Sequence, residues 1–71
     1  MKFKELEKGM CFRYETLPPG CGSMMAHWNF QKVGPTHAQI IGVIKGCPKQ
    51  ALDCVREYRA IGSDDLVTVI D

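Results

Sequence analysis

No two cysteines stand in a C-x-x-C arrangement, no run of five like charges occurs, and no long apolar stretch is present. Each absence removes a class of function. Cys11, Cys21, Cys47 and Cys54 are separated by nine, twenty-five and six residues. Even with His27 and His37 added, they lack the close-set ligand pairs of a zinc knuckle, so buried or half-buried thiols are expected in place of a metal site. Without a charge run there is no electrostatic tail. A membrane-spanning helix needs roughly 18 consecutive apolar residues, and nothing here comes near that. The opening Met-Lys-Phe-Lys-Glu-Leu-Glu-Lys is charged where a secretion signal needs an apolar stretch. The expected setting is therefore the cytoplasm, where thiols stay reduced. No phosphate-cradling glycine motif, zinc-protease helix or calcium loop occurs, and no cofactor is expected.

What is present is an ordinary globular mixture. Leu, Ile, Val and Phe supply 17 of 71 residues, too many for a chain that stays disordered. The length allows one small domain, residues 1–71. A domain of this size buries only about 60% of its unfolded surface, which leaves little material for a deep catalytic pocket. Nine basic and eight acidic residues give a net charge of +1. The pI of 7.7 lies well below the value of about 9 expected of a nucleic-acid binder. Nucleic acid is thus disfavoured as a partner.

Periodicity then places the elements. Phe3 and Leu6, three residues apart, form a short turn that tucks under the domain. Met10, Phe12 and Tyr14 alternate with Cys11, Arg13 and Glu15, the period of a half-buried strand. Residues 17–25, Leu-Pro-Pro-Gly-Cys-Gly-Ser-Met-Met, form a loop, because their prolines and glycines remove donors and demand unusual backbone angles. Trp28 and Phe30 alternate with His27, Asn29 and Gln31. After the turn at Gly34-Pro35-Thr36, Ala38–Ile44 reads as a central strand covered on both faces. Residues 48–59 fork. Pro48 suits a helix start, and Ala51, Cys54 or Val55, and Tyr58 share a helical face; alternatively 46–53 is a loop and Val55–Ile61 a strand. Gly62-Ser63-Asp64-Asp65 is a turn, and Leu66–Ile70 a closing β-branched strand.

Two stretches carry a resemblance. Arg59-Ala-Ile-Gly-Ser-Asp-Asp-Leu-Val-Thr-Val-Ile70 is similar to the closing part of SH3-like barrels, with an aliphatic residue where Val67 stands. Phe3-x-x-Leu6-x-x-Gly9-x-x-Phe12 resembles the start of short phage and prophage proteins of unknown function. Those proteins also carry an aromatic-x-Lys segment like Phe30-Gln31-Lys32 and end in an Asp-rich turn and a Val-rich strand. The resemblance implies a mainly β fold, a small SH3-like barrel of about five short antiparallel strands, whose closure would cover both sheet edges. The alternative is an α+β fold with a helix at 48–59 packed on a four-stranded antiparallel sheet. The expected interior is Phe12, Trp28, Phe30, Ile40, Ile44, Val67 and Val69. The resemblance further implies a phage or mobile-element accessory protein that binds a host protein as inhibitor or adaptor.

Candidate sites are few. Cys21 with His27 or His37 suggests a thiol nucleophile, but no signature sets a histidine beside it, and a surface thiol is the simpler reading. Asp64 and Asp65 are turn residues before they are an acid–base pair, because Asp side chains bond their local backbone. No catalytic residue is assigned, and the chain is read as non-enzymatic. Tyr14, Met24, Met25, His27 and Trp28 form the preferred partner-binding set, since Met, Trp and Tyr suit interfaces. Against that, Trp28 fills a core position and the two methionines seal it. Lys2, Lys4, Lys8, Arg13 and Lys32 could line a nucleic-acid face, diluted by Glu5, Glu7 and Glu15. A zinc-stabilised domain is a further alternative, and a homodimer through an exposed strand edge is open.

Overall fold

Alternation in the second strand decides which side of the sheet becomes the interior. The computed structural model of the protein describes residues 1–16 and 23–70. Its strands are β1 (Cys11–Tyr14), β2 (Trp28–Lys32), β3 (His37–Val43), β4 (Tyr58–Ala60) and β5 (Val67–Val69). Trp28, Phe30 and Lys32 of β2 are buried while Asn29 and Gln31 between them are not. All neighbours are antiparallel, in the order β4-β3-β2-β1-β5. Pairing Phe30 with Phe12 and Ile40, and Phe12 with Val69, puts these side chains on one inner face. Cys11, Arg13, Gln31, Gln39, Tyr58 and Thr68 fall on the outer face by the same register.

The sheet is open, which corrects the barrel expectation. β4 and β5 end the sheet on opposite sides and do not pair with each other. The inner face is covered by other means. A 3-10 turn over Phe3–Glu5 brings in Phe3 and Leu6, and a one-turn helix α1 (Lys49–Leu52) brings in Ala51. The β5 edge is covered by the chain's own beginning: Val67 N–H donates to the Met1 carbonyl at 2.7 Å, and Lys2 bridges Leu66. The architecture is a mostly β, open five-stranded antiparallel sheet with one small helix.

The alternative over 48–59 also needs correction, because the helix stops at Leu52 and the sheet has five strands. Residues 53–56 turn, and Arg56 takes φ +83, outside the helical region. Its N–H donates to the Ile40 carbonyl, and Ile40 N–H donates to the Glu57 carbonyl. Two residues thus oppose one, which is a G1 bulge, a position that ordinarily takes glycine because a Cβ crowds the backbone there. Edge pairing with β3 therefore ends the helical tendency of this segment. Arg56→Gly is expected to raise stability by about 1 kcal/mol by relieving the left-handed backbone, read as a higher urea midpoint.

The core is an aromatic chain across the inner face. Phe3 meets Phe12 at 5.4 Å, Phe12 stacks on Phe30 at 5.3 Å, and Tyr14 and Trp28 approach Phe30 edge-on at 5.7 and 6.1 Å. Each such pair adds about 1 kcal/mol beyond burial. Trp28 Nε1–H donates to the Ala51 carbonyl at 2.9 Å, fastening α1 to the sheet. Of the expected interior, Phe12, Trp28, Phe30, Ile40 and Val67 are buried, Val69 is half-buried against them, and Ile44 is half-buried outside this cluster. The strand read as covered on both faces is not. The β2–β3 register shifts beside Asn29 and Phe30, leaving Ile41 unpaired and 41% exposed.

Lys32 is the unexpected interior residue. Its ammonium donates to the Phe3 and Leu6 carbonyls at 3.1 and 2.7 Å and lies 4.5 Å from the centre of the Phe3 ring. It thereby ties the N-terminal turn to the middle of the sheet, supplying donors that the turn's own backbone lacks.

Candidate functional site

The outer sheet face has no cover among the described residues, and no carboxylate stands on it within the strands. Gln31 pairs with Cys11 on one side and Gln39 on the other, and Gln39 pairs with Tyr58. The row therefore runs Cys11, Gln31, Gln39, Tyr58 across four strands. Arg13, opposite Thr68, is the cation of this face. Asn29, paired with Gly42, keeps its Oδ1 buried without a hydrogen-bond partner among the described residues.

At the β3–β4 end, beside the bulge, lies an open cleft of about 240 Å³, lined by Gln39, Ile40, Ile41, Val55 and Arg56. The bulge places Arg56 at its rim, and Gln39 Nε2–H donates to the Arg56 carbonyl at 3.1 Å, holding that backbone in place. The Arg56 guanidinium has no hydrogen bond or ion pair among the described residues, whereas Arg59 pairs with Glu57 at 2.8 Å and lies over the Trp28 ring. Tyr58, 60% exposed, stands next to Gln39, and Ile41, two residues farther along β3, is exposed as well. An exposed aromatic ring and an exposed aliphatic side chain thus stand near a cleft lined by a cation that has no partner among the described residues. Tyr and Arg are the residues that most often anchor interfaces.

The sequence-chosen binding set falls elsewhere. Trp28 is 3% exposed and belongs to the core. Tyr14 is half-buried, edge-on to Phe30, and its hydroxyl donates to Asp65 Oδ2 at 3.0 Å. Met25 is half-buried against the same core, and the His27 carbonyl accepts from Ile44 N–H at 2.7 Å. Tyr14, Trp28 and Met25 are thus brought to one place, on the inner side. The side chain of Met24, the stretch 17–22 and with it Cys21 lie outside the described residues.

The proposed basic face does not assemble as one surface. Lys32 is inside, and Lys2 and Lys4 both pair with Asp64, at 3.6 and 3.2 Å. The hydrogen bond from Lys4, reinforced by the charges of Lys4 and Lys2, holds the Asp64 carboxyl below the usual carboxylate range. Asp65 serves the turn: its Oδ2 accepts from Gly62 N–H at 3.1 Å as well as from Tyr14. A Cβ on Gly62 would fall 2.8 Å from Asp65 Oδ1, so this turn needs glycine. Cys11, Cys47 and Cys54 are free thiols, and among the described residues no three His, Cys, Asp or Glu side chains converge on a metal position.

Sequence reasoning missed Arg56, Tyr58 and Ile41. Strand alternation over Val55–Ile61 does set Arg56 and Tyr58 opposite Ile61, a usable signal. Alternation from Ala38 and Ile40 also sets Ile41 outward, but the bulge that leaves it unpaired has no mark in the sequence.

In comparisons with known proteins, no family model matches the chain, no curated protein matches its sequence and no solved structure matches its fold. The resemblance to phage and prophage proteins and to SH3-like barrels is thereby withdrawn. Both motifs are short and apolar, and strand-forming residues around a tight turn recur in many unrelated sheets. Among the described residues no helix is long and apolar enough to cross a membrane.

Proposed function

We propose that the protein is a non-enzymatic protein-binding module that docks its partner on the outer sheet face at the β3–β4 cleft. The observation that carries this reading is the exposure of Tyr58 and Ile41 on one sheet face next to an open cleft lined by Arg56, whose guanidinium has no partner among the described residues. The free thiols of Cys11, Cys47 and Cys54 suit a reducing compartment and support a cytoplasmic setting.

Tyr58→Ala removes a ring that touches the surface and not the core, so stability is expected to change by less than about 0.5 kcal/mol. Capture of a partner from nuclease-treated lysate is expected to fall at least about tenfold with this variant, as for loss of an interface anchor. Retention of the same partner by folded Tyr58→Ala overturns the assignment of this surface.

A second reading, a single-stranded nucleic-acid binder, is favoured by one observation: Arg13, Gln31, Gln39 and Tyr58 share a face with no carboxylate in its strands. Such binding depends steeply on salt, and fluorescence anisotropy with a labelled oligonucleotide at two salt concentrations separates it from protein docking.

A further inference from the structure

The two terminal strands of this sheet are covered unequally, β5 at its Val67 end only. Residues 1 and 2 lie along β5. Nothing among the described residues lies along β4. The pairing tells which of its backbone groups are free. Glu57 C=O accepts from Ile40 N–H, and Ile61 N–H donates to Thr36 C=O, so residues 57 and 61 turn their groups toward β3. By the two-residue alternation of a strand, Tyr58 and Ala60 turn theirs away from the sheet. Among the described residues the only side chain bonded to these groups is that of Arg59, whose Nη1 is 3.4 Å from the Tyr58 carbonyl. An uncovered pair of donors and acceptors is a template for another strand, and natural proteins ordinarily blunt such an edge.

The residue that introduces this edge is Arg56, held at φ +83 where glycine would fit without strain. Among the described residues its guanidinium has no partner, and Arg56 lines the open cleft together with Gln39, Val55 and the exposed Ile41. We infer that β4 receives an extended peptide segment of a partner protein as a sixth strand, with an acidic side chain on Arg56 and an aliphatic side chain against the exposed Ile41. This rests on the protein-binding reading above and names the chemistry of the partner. Main-chain bonds to Tyr58 and Ala60 supply affinity, while the cleft and Arg56 supply selectivity, the division of labour in strand addition. Charge complementarity sets the sign: the one free cation at this site calls for a carboxylate, and a basic segment would meet repulsion.

The test uses the full chain, labelled with ¹⁵N, and a short alternating Val/Glu peptide of about eight residues, an ordinary strand length. The amides of Tyr58 and Ala60 are expected to shift and to gain exchange protection. A Val/Lys peptide of the same length is expected to bind at least about tenfold more weakly. Arg56→Gly, which the bulge geometry makes more stable, is expected to weaken the Val/Glu peptide by about tenfold as well, since a charge-assisted bond is lost. Ala60→Pro removes an N–H that faces away from β3, so the sheet survives while the peptide is lost. Absence of shifts at Tyr58 and Ala60 overturns the inference, as does unchanged peptide binding by Ala60→Pro. A single-stranded oligonucleotide shifting these amides where the peptide does not overturns it in favour of nucleic acid. Shifts that grow with protein concentration alone overturn it in favour of a second copy of this chain. If the captured partner is lost with Tyr58→Ala but kept by both Arg56→Gly and Ala60→Pro, the binding module stands and strand addition does not.

Discussion

Phe30→Ala is expected to leave the protein largely unfolded at physiological temperature. Phe30 is fully buried, and its ring is the shared neighbour of Phe12, Tyr14 and Trp28. Truncating a buried phenylalanine costs about 3–5 kcal/mol, through lost transfer energy and the cavity left behind. A domain of 71 residues has roughly 4–10 kcal/mol to lose, at 0.05–0.15 kcal/mol per residue. The surrounding rings cannot collapse into the space, because each is held by a second partner. Phe3 packs on Phe12 from the other side, Trp28 is bonded to Ala51, and Tyr14 to Asp65. Urea denaturation followed by tryptophan fluorescence reads the loss directly, with Phe30→Leu as the control that keeps most of the volume. A Phe30→Ala midpoint close to that of wild type would mean that the core rearranges freely, and that the aromatic chain is not the source of cohesion.

Lys32→Met is the second large effect, and it separates two halves of the molecule. Methionine keeps the apolar stem but removes the ammonium that donates to the Phe3 and Leu6 carbonyls. The Phe3 carbonyl still accepts from Leu6 N–H, at 3.1 Å. The Leu6 carbonyl is left without its donor, and a buried unsatisfied carbonyl costs about 1–3 kcal/mol. Relief from burying a charge offsets part of this, and the lost cation–π contact with Phe3 adds to it. The expected result is a net loss of about 2 kcal/mol, dominated by the orphaned carbonyl. The loss is local in origin. Exchange protection at Phe3 and Lys4, whose N–H groups bond the Asp65 and Ser63 carbonyls, is expected to fall first, while the β2–β3 amides stay protected. Uniform loss of protection across the sheet would show instead that the N-terminal turn and the sheet open as one unit.

Much of the strand pattern was legible because burial on one face imposes a period of two, and β2 displays it without interruption: Trp28, Phe30 and Lys32 inward, Asn29 and Gln31 outward. Phe12 and Val67 follow the same rule, as does the Gly62–Asp65 turn, where Asp65 bonds the Gly62 N–H as short polar side chains do in turns. The expected binding set rests on residue type and on the place of the 17–25 loop in the barrels of the withdrawn resemblance. Trp28 and Tyr14 are interface residues by chemistry and core residues by position, and composition cannot separate those two uses.

The sequence by itself determined a small folded chain without a helical membrane span, strands where apolar and polar residues alternate, and turns where glycine and aspartate cluster. These are local properties, set by side-chain size, backbone freedom and spacing. Tertiary structure alone decided that the sheet stays open, since that depends on what else covers its inner face and its β5 edge. Alternation sets Lys32 on the inner face, but tertiary structure alone supplies the two carbonyls, from a turn far off in sequence, that satisfy its ammonium there. It alone drew residues 57–61 onto β3, which put Arg56 into a left-handed bulge beside Ile41 and Tyr58 and so made the candidate site. Long-range pairing depends on which distant segment offers free backbone groups, and a linear pattern of side chains does not record that.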